Sequence, residues 1–292
     1  MMLITSLQNP KLKQVVKWRD RRDRDRDQVV LLEGYRALSR ALAAGFPVHE
    51  VFFSPAHYLG THEPELLARL EKQGAQLIEV APEPFTKMTY RDRPEGLLGI
   101  GRQTHRTLAD IPNHGTPPFL LVAEQIEKPG NLGTMLRSAD AAGVDALVLC
   151  DPRTDLWNPN VVRASTGVLF SMPIPECSSP EALAYLKDNA IRILATTPHA
   201  EKLFTEVDLT GPVAIVVGSE QVGLSAQWMD NADLQVRLPM MGAADSLNVA
   251  TATTIALYEV LRQRIAAGLV TVPAPVPDEC QRAYDLPEYE NL

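Results

Sequence analysis

Two runs of five residues, FLLVA at 119–123 and VAIVV at 213–217, contain no polar side chain. A strand with one wet face alternates apolar and polar residues, so unbroken runs of this kind predict strands covered on both faces. Around them the period changes. Residues 132–142, 161–170 and 181–189 read as helices, and 146–150, 191–195 and 234–238 as further strands. Doubly buried strands alternating with helices restrict this region to an α/β fold built on a mainly parallel sheet.

The first 100 residues alternate too, on a smaller scale. Residues 9–27 are predicted as one helix, 29–32, 48–53 and 76–80 as strands, and 35–44 and 64–73 as helices, with Gly45 and Gly74 closing the last two. Residues 101–118, polar and bearing Pro, Gly and His, read as a linker. The expected organisation is therefore a small domain over 1–100, a linker over 101–118, and the larger α/β domain over 119–268. A tail at 269–292, rich in Pro and acidic residues, is expected to be extended or disordered.

Composition removes several classes. Hydrophobic content of 45% and a mean hydropathy of -0.09 describe a soluble globular chain, with no apolar run near the roughly 18 to 20 residues that span a membrane. Residues 1–9 lack the apolar core of a secretion signal, so the expected location is cytoplasmic. Cys150, Cys177 and Cys280 form no C-x-x-C pair and the six histidines are dispersed, which argues against disulfides and a metal site. Gly218 and Gly223 have the spacing of a phosphate loop, but Leu224 and Ser225 stand where Lys and Ser or Thr are required. No G-x-G-x-x-G follows a strand, so a nicotinamide-dependent oxidoreductase loses its main support.

Charge is uneven. Residues 1–47 carry ten basic against five acidic side chains, net +5, which leaves -13 on the rest of a chain of net charge -8. A basic entry surface on an acidic body fits a nucleic-acid partner. The run RDRRDRDRD at 19–27 reads equally as that surface or as a solvated helix face of weak ion pairs.

Three loops at strand ends hold the candidate chemistry. The first follows the 119–123 strand and opens a helix at Asn131, an expected N-cap. Leu132, Met135, Leu136 and Ala139 form the buried stripe of that helix, which turns Arg137 outward. The second, GSEQVGLS at 218–225, holds Glu220 beside glycines that permit close approach to backbone. The third links the 234–238 strand to a long helix with apolar residues at Leu247, Ala250, Leu257, Val260 and Leu261, with Ser246 or Asp245 as its expected cap. Ligands of open α/β sheets bind at such strand-to-helix turns.

The ordered set N-L-G-x-x-x-R (131–137), R-A-S-x-G (163–167), G-S-E-x-x-G-L-S (218–225) and L-P-M-x-G-x-x-x-S-L-N-V-A (238–250) resembles the motifs of the SpoU/TrmH family of RNA ribose 2'-O-methyltransferases, part of the SPOUT superfamily. The first 100 residues more loosely resemble the ribosomal-protein-like, substrate-binding domain of its ribosomal-RNA members. The resemblance implies a C-terminal trefoil knot, S-adenosylmethionine as methyl donor, and a homodimer with the active site near the interface. The long C-terminal helix would help build that interface. It also implies an RNA partner, ribosomal rather than transfer RNA, with no DNA and no membrane. Arg137 matches the catalytic arginine, Asn131 and Glu220 the polar positions of the first and second motifs, and Ser246 and Asn248 the third-motif pair. The cofactor would lie on backbone at Gly218, Leu238 and Leu247, with Thr196 and Met240 close by. The competing readings are a catalytically silent RNA-binding protein on the same scaffold and a transfer-RNA methyltransferase.

Overall fold

The structure, a computed structural model, describes residues 2–91, 93–114 and 116–274. It divides into two compact units, one containing Met1–Gln103 and Trp157–Arg163, the other Thr104–Leu156 and Ala164–Val272. The tail expectation falls almost wholly outside the described residues.

In the first unit, strands β1 (Met2–Ile4), β2 (Val29–Glu33), β3 (Val48–Phe53), β4 (Gln76–Val80) and β5 (Leu97–Arg102) form a sheet in the order β1-β4-β3-β5-β2. β4 pairs in parallel with β1 and β3, whereas β5 runs antiparallel to both β3 and β2. Helices α1 (Pro10–Lys17), α2 (Arg21–Asp27), α3 (Tyr35–Ala43), α4 (Glu63–Lys72) and α5 (Pro82–Met88) complete it. Phe52, Ile78, Phe85, Met88 and Leu98 share one buried cluster with Leu12 and Val15 of α1.

The single helix expected over 9–27 is in fact two. Asp20 adopts an extended conformation and its side chain accepts from Arg22 N–H, which caps α2 and ends the path from α1. Arg24 is 1% exposed and donates from Nη1 to the carbonyls of Trp18 and Arg19 at 2.9 and 2.6 Å, so it closes the chain reversal between the helices. Arg21 and Arg26 stay outside, in ion pairs with Asp25 and Asp23. The run 19–27 is thus part structural and part solvated.

In the second unit, strands β6 (Phe119–Glu124), β7 (Ala146–Cys150), β8 (Glu176–Cys177), β9 (Arg192–Thr196), β10 (Lys202–Leu203), β11 (Val213–Val217) and β12 (Leu234–Arg237) form a sheet in the order β10-β12-β9-β11-β6-β7-β8. Every pairing in it is parallel. Its helices are α6 (Pro129–Ala142), α8 (Ser179–Asp188), α9 (Ala226–Asn231) and α10 (Val249–Ala266), whereas α7 (Pro159–Ala164) belongs to the first unit except for its last residue. The two all-apolar runs pair with each other at the centre, β6 against β11, and every residue of both is buried. From β6 the chain winds outward through β7 and β8, then returns to the other side of β11 with β9, so the winding reverses at the middle of the sheet. The carboxyl ends of strands at such a reversal form the crevice where α/β proteins bind ligands.

Local differences from the sequence reading have identifiable causes. The helix expected over 161–170 stops at Ala164, because Thr166 and Gly167 take positive φ values of 51° and 90°, and only a short 3-10 turn, Val168–Phe170, follows. Arg102 still lies in β5, and beyond it Leu108 and Ile111 pack against the core of the second unit. Among the described residues no helix is long and apolar enough to cross a membrane.

Candidate active site

β6 ends on Glu124, a carboxylate only 3% exposed whose Oε2 accepts from Ser225 N–H at 2.8 Å. Gln125 then turns the chain at φ 51°, and α6 starts at Pro129, a residue suited to a first turn because the missing N–H would have no helical partner. Asn131 is therefore inside the helix and is not its N-cap, a position held by Lys128. Its side chain is thereby free for other contacts.

Those contacts join the three loops. Asn131 Nδ2 donates to Glu220 Oε1 at 2.7 Å, and Asn131 Oδ1 accepts from Asn248 Nδ2 at 3.1 Å. Glu220 also accepts from the N–H groups of Glu127 at 2.9 Å and Lys128 at 3.1 Å, so one carboxylate holds the whole approach to α6. Partial burial raises the Glu220 pKa, but the donors at Glu127, Asn131 and Lys128 outweigh it and the carboxyl ends below its ordinary value. Asn248 caps α10 through Oδ1, which accepts from Ala250 and Thr251 N–H; this is the role expected of Ser246 or Asp245. Asn248 does so while its amide nitrogen reaches Asn131.

Arg137 lies six residues beyond Asn131 on α6, roughly 9 Å along the axis. Leu132, Met135, Leu136 and Ala139 are fully buried and Arg137 is exposed, as the stripe required. Among the described residues it has no hydrogen-bond or ion-pair partner. Gly133 shows why α6 sits where it does. A Cβ there would lie 2.4 Å from Ala164 Cβ and 2.8 Å from Ser165 N, so the helix backbone presses directly on the R-A-S-x-G segment.

The 218–225 loop is equally tight. Ser219 and Gly223 exchange backbone hydrogen bonds at 3.1 and 3.0 Å, and a Cβ on Gly218 would fall 2.2 Å from the carbonyl carbon of Gly223. Only glycine fits Gly218, and the closure holds the nearby Glu220 in place. Thr196 ends β9 with its hydroxyl donating to Val216 O at 2.8 Å, so its side chain braces the sheet. β12 ends at Arg237, which puts Leu238 in the loop.

Leu238, Met240, Ser246 and Leu247 all belong to the segment between β12 and α10. Among the described residues no hydrogen bond ties any part of 238–247 to the rest of the chain. Unpaired backbone at the carboxyl end of a sheet suits a ligand held by main-chain groups, which is the contact expected at Leu238 and Leu247. The structure thus joins Asn131, Glu220 and Asn248 directly. It leaves Arg137 and Ser246 without protein partners among the described residues. Glu124 and the Glu127 and Lys128 amides were not singled out in the sequence. A carboxylate ending an apolar strand run was the available signal for the first, and backbone donors leave none.

The SpoU rRNA Methylase family model matches residues 118–258, and a model of the MRM3-like substrate binding domain matches 9–99. A 23S rRNA (uridine(2479)-2'-O)-methyltransferase of Streptomyces viridochromogenes is 31% identical over 262 residues, 87% of this chain and 90% of the relative. The chain belongs to the SpoU family. SpoU structures share its architecture. The crystal structure of an RNA 2'-O ribose methyltransferase is 42% identical, with a TM-score of 0.80 over 90% of this chain and 100% of the other. The SpoU methyltransferase AviRb of Streptomyces viridochromogenes, solved in complex with AdoMet, is 30% identical, with a TM-score of 0.81 over 89% and 99%. The α/β class and mainly parallel sheet read from the sequence are those of the SpoU fold.

Proposed function

We propose that this chain transfers a methyl group from S-adenosylmethionine to a ribose 2'-hydroxyl of RNA, and that the RNA is ribosomal. One observation carries the reading: Asn131 in the first turn of α6, Glu220 in the 218–225 loop and Asn248 at the cap of α10 converge by hydrogen bonds at the carboxyl edge of the sheet in a SpoU chain. The relative's rRNA specificity and the match to a substrate-binding domain favour ribosomal over transfer RNA. A 2'-hydroxyl acceptor excludes DNA. Cytoplasmic action without a membrane partner belongs to the same reading, as do the knotted backbone and the homodimer of the family.

S-adenosylmethionine supplies a methyl group already activated on a sulfonium, so no protein nucleophile is required. The chain's task is to bind, align and manage charge. The free backbone of 238–247, with Gly218 and Thr196 at adjacent strand ends, would hold the cofactor. A guanidinium is a poor proton acceptor, so the role of general base does not suit Arg137. It therefore clamps a phosphate of the substrate and offsets the negative charge that grows on the ribose oxygen as its proton passes to solvent water. Ser246 or Asn248 would meet Arg137 only with substrate bound, while Glu220 and Asn131 fix the loops that carry them.

The test is the mass of ribosomal RNA incubated with the chain and S-adenosylmethionine. The expected result is a gain of one methyl per modified site, alkali-resistant at the adjoining phosphodiester. Arg137→Ala should abolish transfer and leave cofactor affinity nearly intact. Wild-type turnover by that variant would remove Arg137 from the assignment, and RNA bound without methyl gain would leave the silent RNA-binding protein.

A further inference from the structure

Because Arg137 has no partner of its own among the described residues, its direction depends on how α6 is held. Near its N-terminal end the Asn131 to Asn248 hydrogen bond ties α6 to the cap of α10. A further polar contact joins the same two helices, Ser138 Oγ to Thr254 Oγ1 at 2.7 Å, immediately after Arg137. Ser138 is 9% exposed, so an unmatched hydroxyl there carries a desolvation cost. The direction of the bond follows from a second contact. Thr254 Oγ1 also lies 2.8 Å from Ala250 O and donates its only proton to it, so Ser138 is the donor to Thr254.

This pair sits on the inner side of α6, while Arg137, the preceding residue, is exposed. Rotation of α6 about its axis would swing Arg137 outside and break the Ser138 hydrogen bond inside. Apolar packing alone tolerates small rotations, whereas a hydrogen bond of this length tolerates few. We infer that Thr254, acting through Ser138, is a positioning residue that sets the direction of Arg137, an inference that rests on the methyltransferase reading.

Thr254→Val keeps the shape and removes the acceptor. Ser138 can then turn back to the carbonyl one helical turn earlier, so the fold persists while the angular restraint disappears. In steady-state methylation of ribosomal RNA, Thr254→Val and Ser138→Ala should each lower kcat by about tenfold, inside the roughly 100-fold that a 1 Å misplacement costs. Kd for the cofactor should not move. The double variant should be no worse than either single, and Thr254→Ser should restore the wild-type rate. A Thr254→Val enzyme with unchanged kcat, losses that multiply, or Thr254→Ser as slow as Thr254→Val would each overturn the inference. Amide exchange at 137–139 reads the same restraint without turnover: faster in Thr254→Val and normal in Thr254→Ser supports it, and no difference overturns it. A wild-type chain that transfers no methyl group counts against the methyltransferase reading instead.

Discussion

Glu220→Gln tests the loop closure with almost no change in size. The carboxylate faces donors on both oxygens, Glu127 N–H on Oε2, and Lys128 N–H with Asn131 Nδ2 on Oε1. Whichever way a glutamine amide turns, its NH₂ confronts at least one N–H, and the charge is removed as well. A charge-assisted hydrogen bond contributes about 1.5–3 kcal/mol, and because the group is only half-buried, screening favours the lower end. About 1.5 kcal/mol corresponds to local opening roughly tenfold more frequent. Amide exchange at Glu127 and Lys128 measures that opening directly, without unfolding a chain of two units. The sign with pH follows from the lowered folded pKa of Glu220. Its stabilisation is complete above the ordinary carboxylate pKa and is lost as pH falls through the depressed folded value. The wild-type advantage over Glu220→Gln should therefore be full at neutral pH and close in acid. Equal exchange at neutral pH, or a gap that persists unchanged once Glu220 is protonated, would refute the clamp.

Two further outcomes concern partners. Reversing Arg21 and Arg22 to Glu should weaken ribosomal RNA binding and reduce its salt slope by about 0.7 for each phosphate no longer neutralised. An unchanged slope would make that helix a solvated face; Arg24→Glu is excluded from the comparison because burying a carboxylate there would disrupt the turn between α1 and α2. Ile255, Tyr258 and Ile265 are exposed on α10, an apolar row that supports a homodimer. Sedimentation equilibrium should find twice the 32.1 kDa chain mass, and Tyr258→Arg should shift it to monomer. A wild-type monomer at micromolar concentration would refute the assembly.

The sequence was most informative where one signal dominated. Strands β6 and β11 were plain because nothing polar interrupts their apolar runs, and the outward direction of Arg137 followed from the period of its buried neighbours. β5 was missed for a physical reason. Gly99 and Gly101 dilute its strand signal, yet a Cβ on Gly99 would meet Leu38 at 2.5 Å and one on Gly101 would meet Phe46 at 2.7 Å, so these glycines serve the packing of helix α3 and its following turn on the sheet. The caps misled similarly. Asn131 and Ser246 look like N-caps locally, but Pro129 starts α6 earlier and Asn248 starts α10 later, which frees Asn131 to bridge. Motif residues could be found by spacing, whereas the bond from Asn131 to Glu220 spans 89 positions and leaves no local trace.

The relay from Asn248 through Asn131 to Glu220 has a direction, since each side chain donates to the next. Asn131 is the member that both accepts and donates along it, so its amide cannot be traded for a carboxylate alone: Asn131→Asp would set two acceptors face to face. Glu220→Gln alone can set two donors face to face. Together the two changes restore a donor opposite an acceptor at that junction, although not the hydrogen bonds on either side. A lineage carrying this site can thus alter the polarity of the junction only by crossing a mismatched intermediate, which ties the histories of two loops that are far apart in the chain.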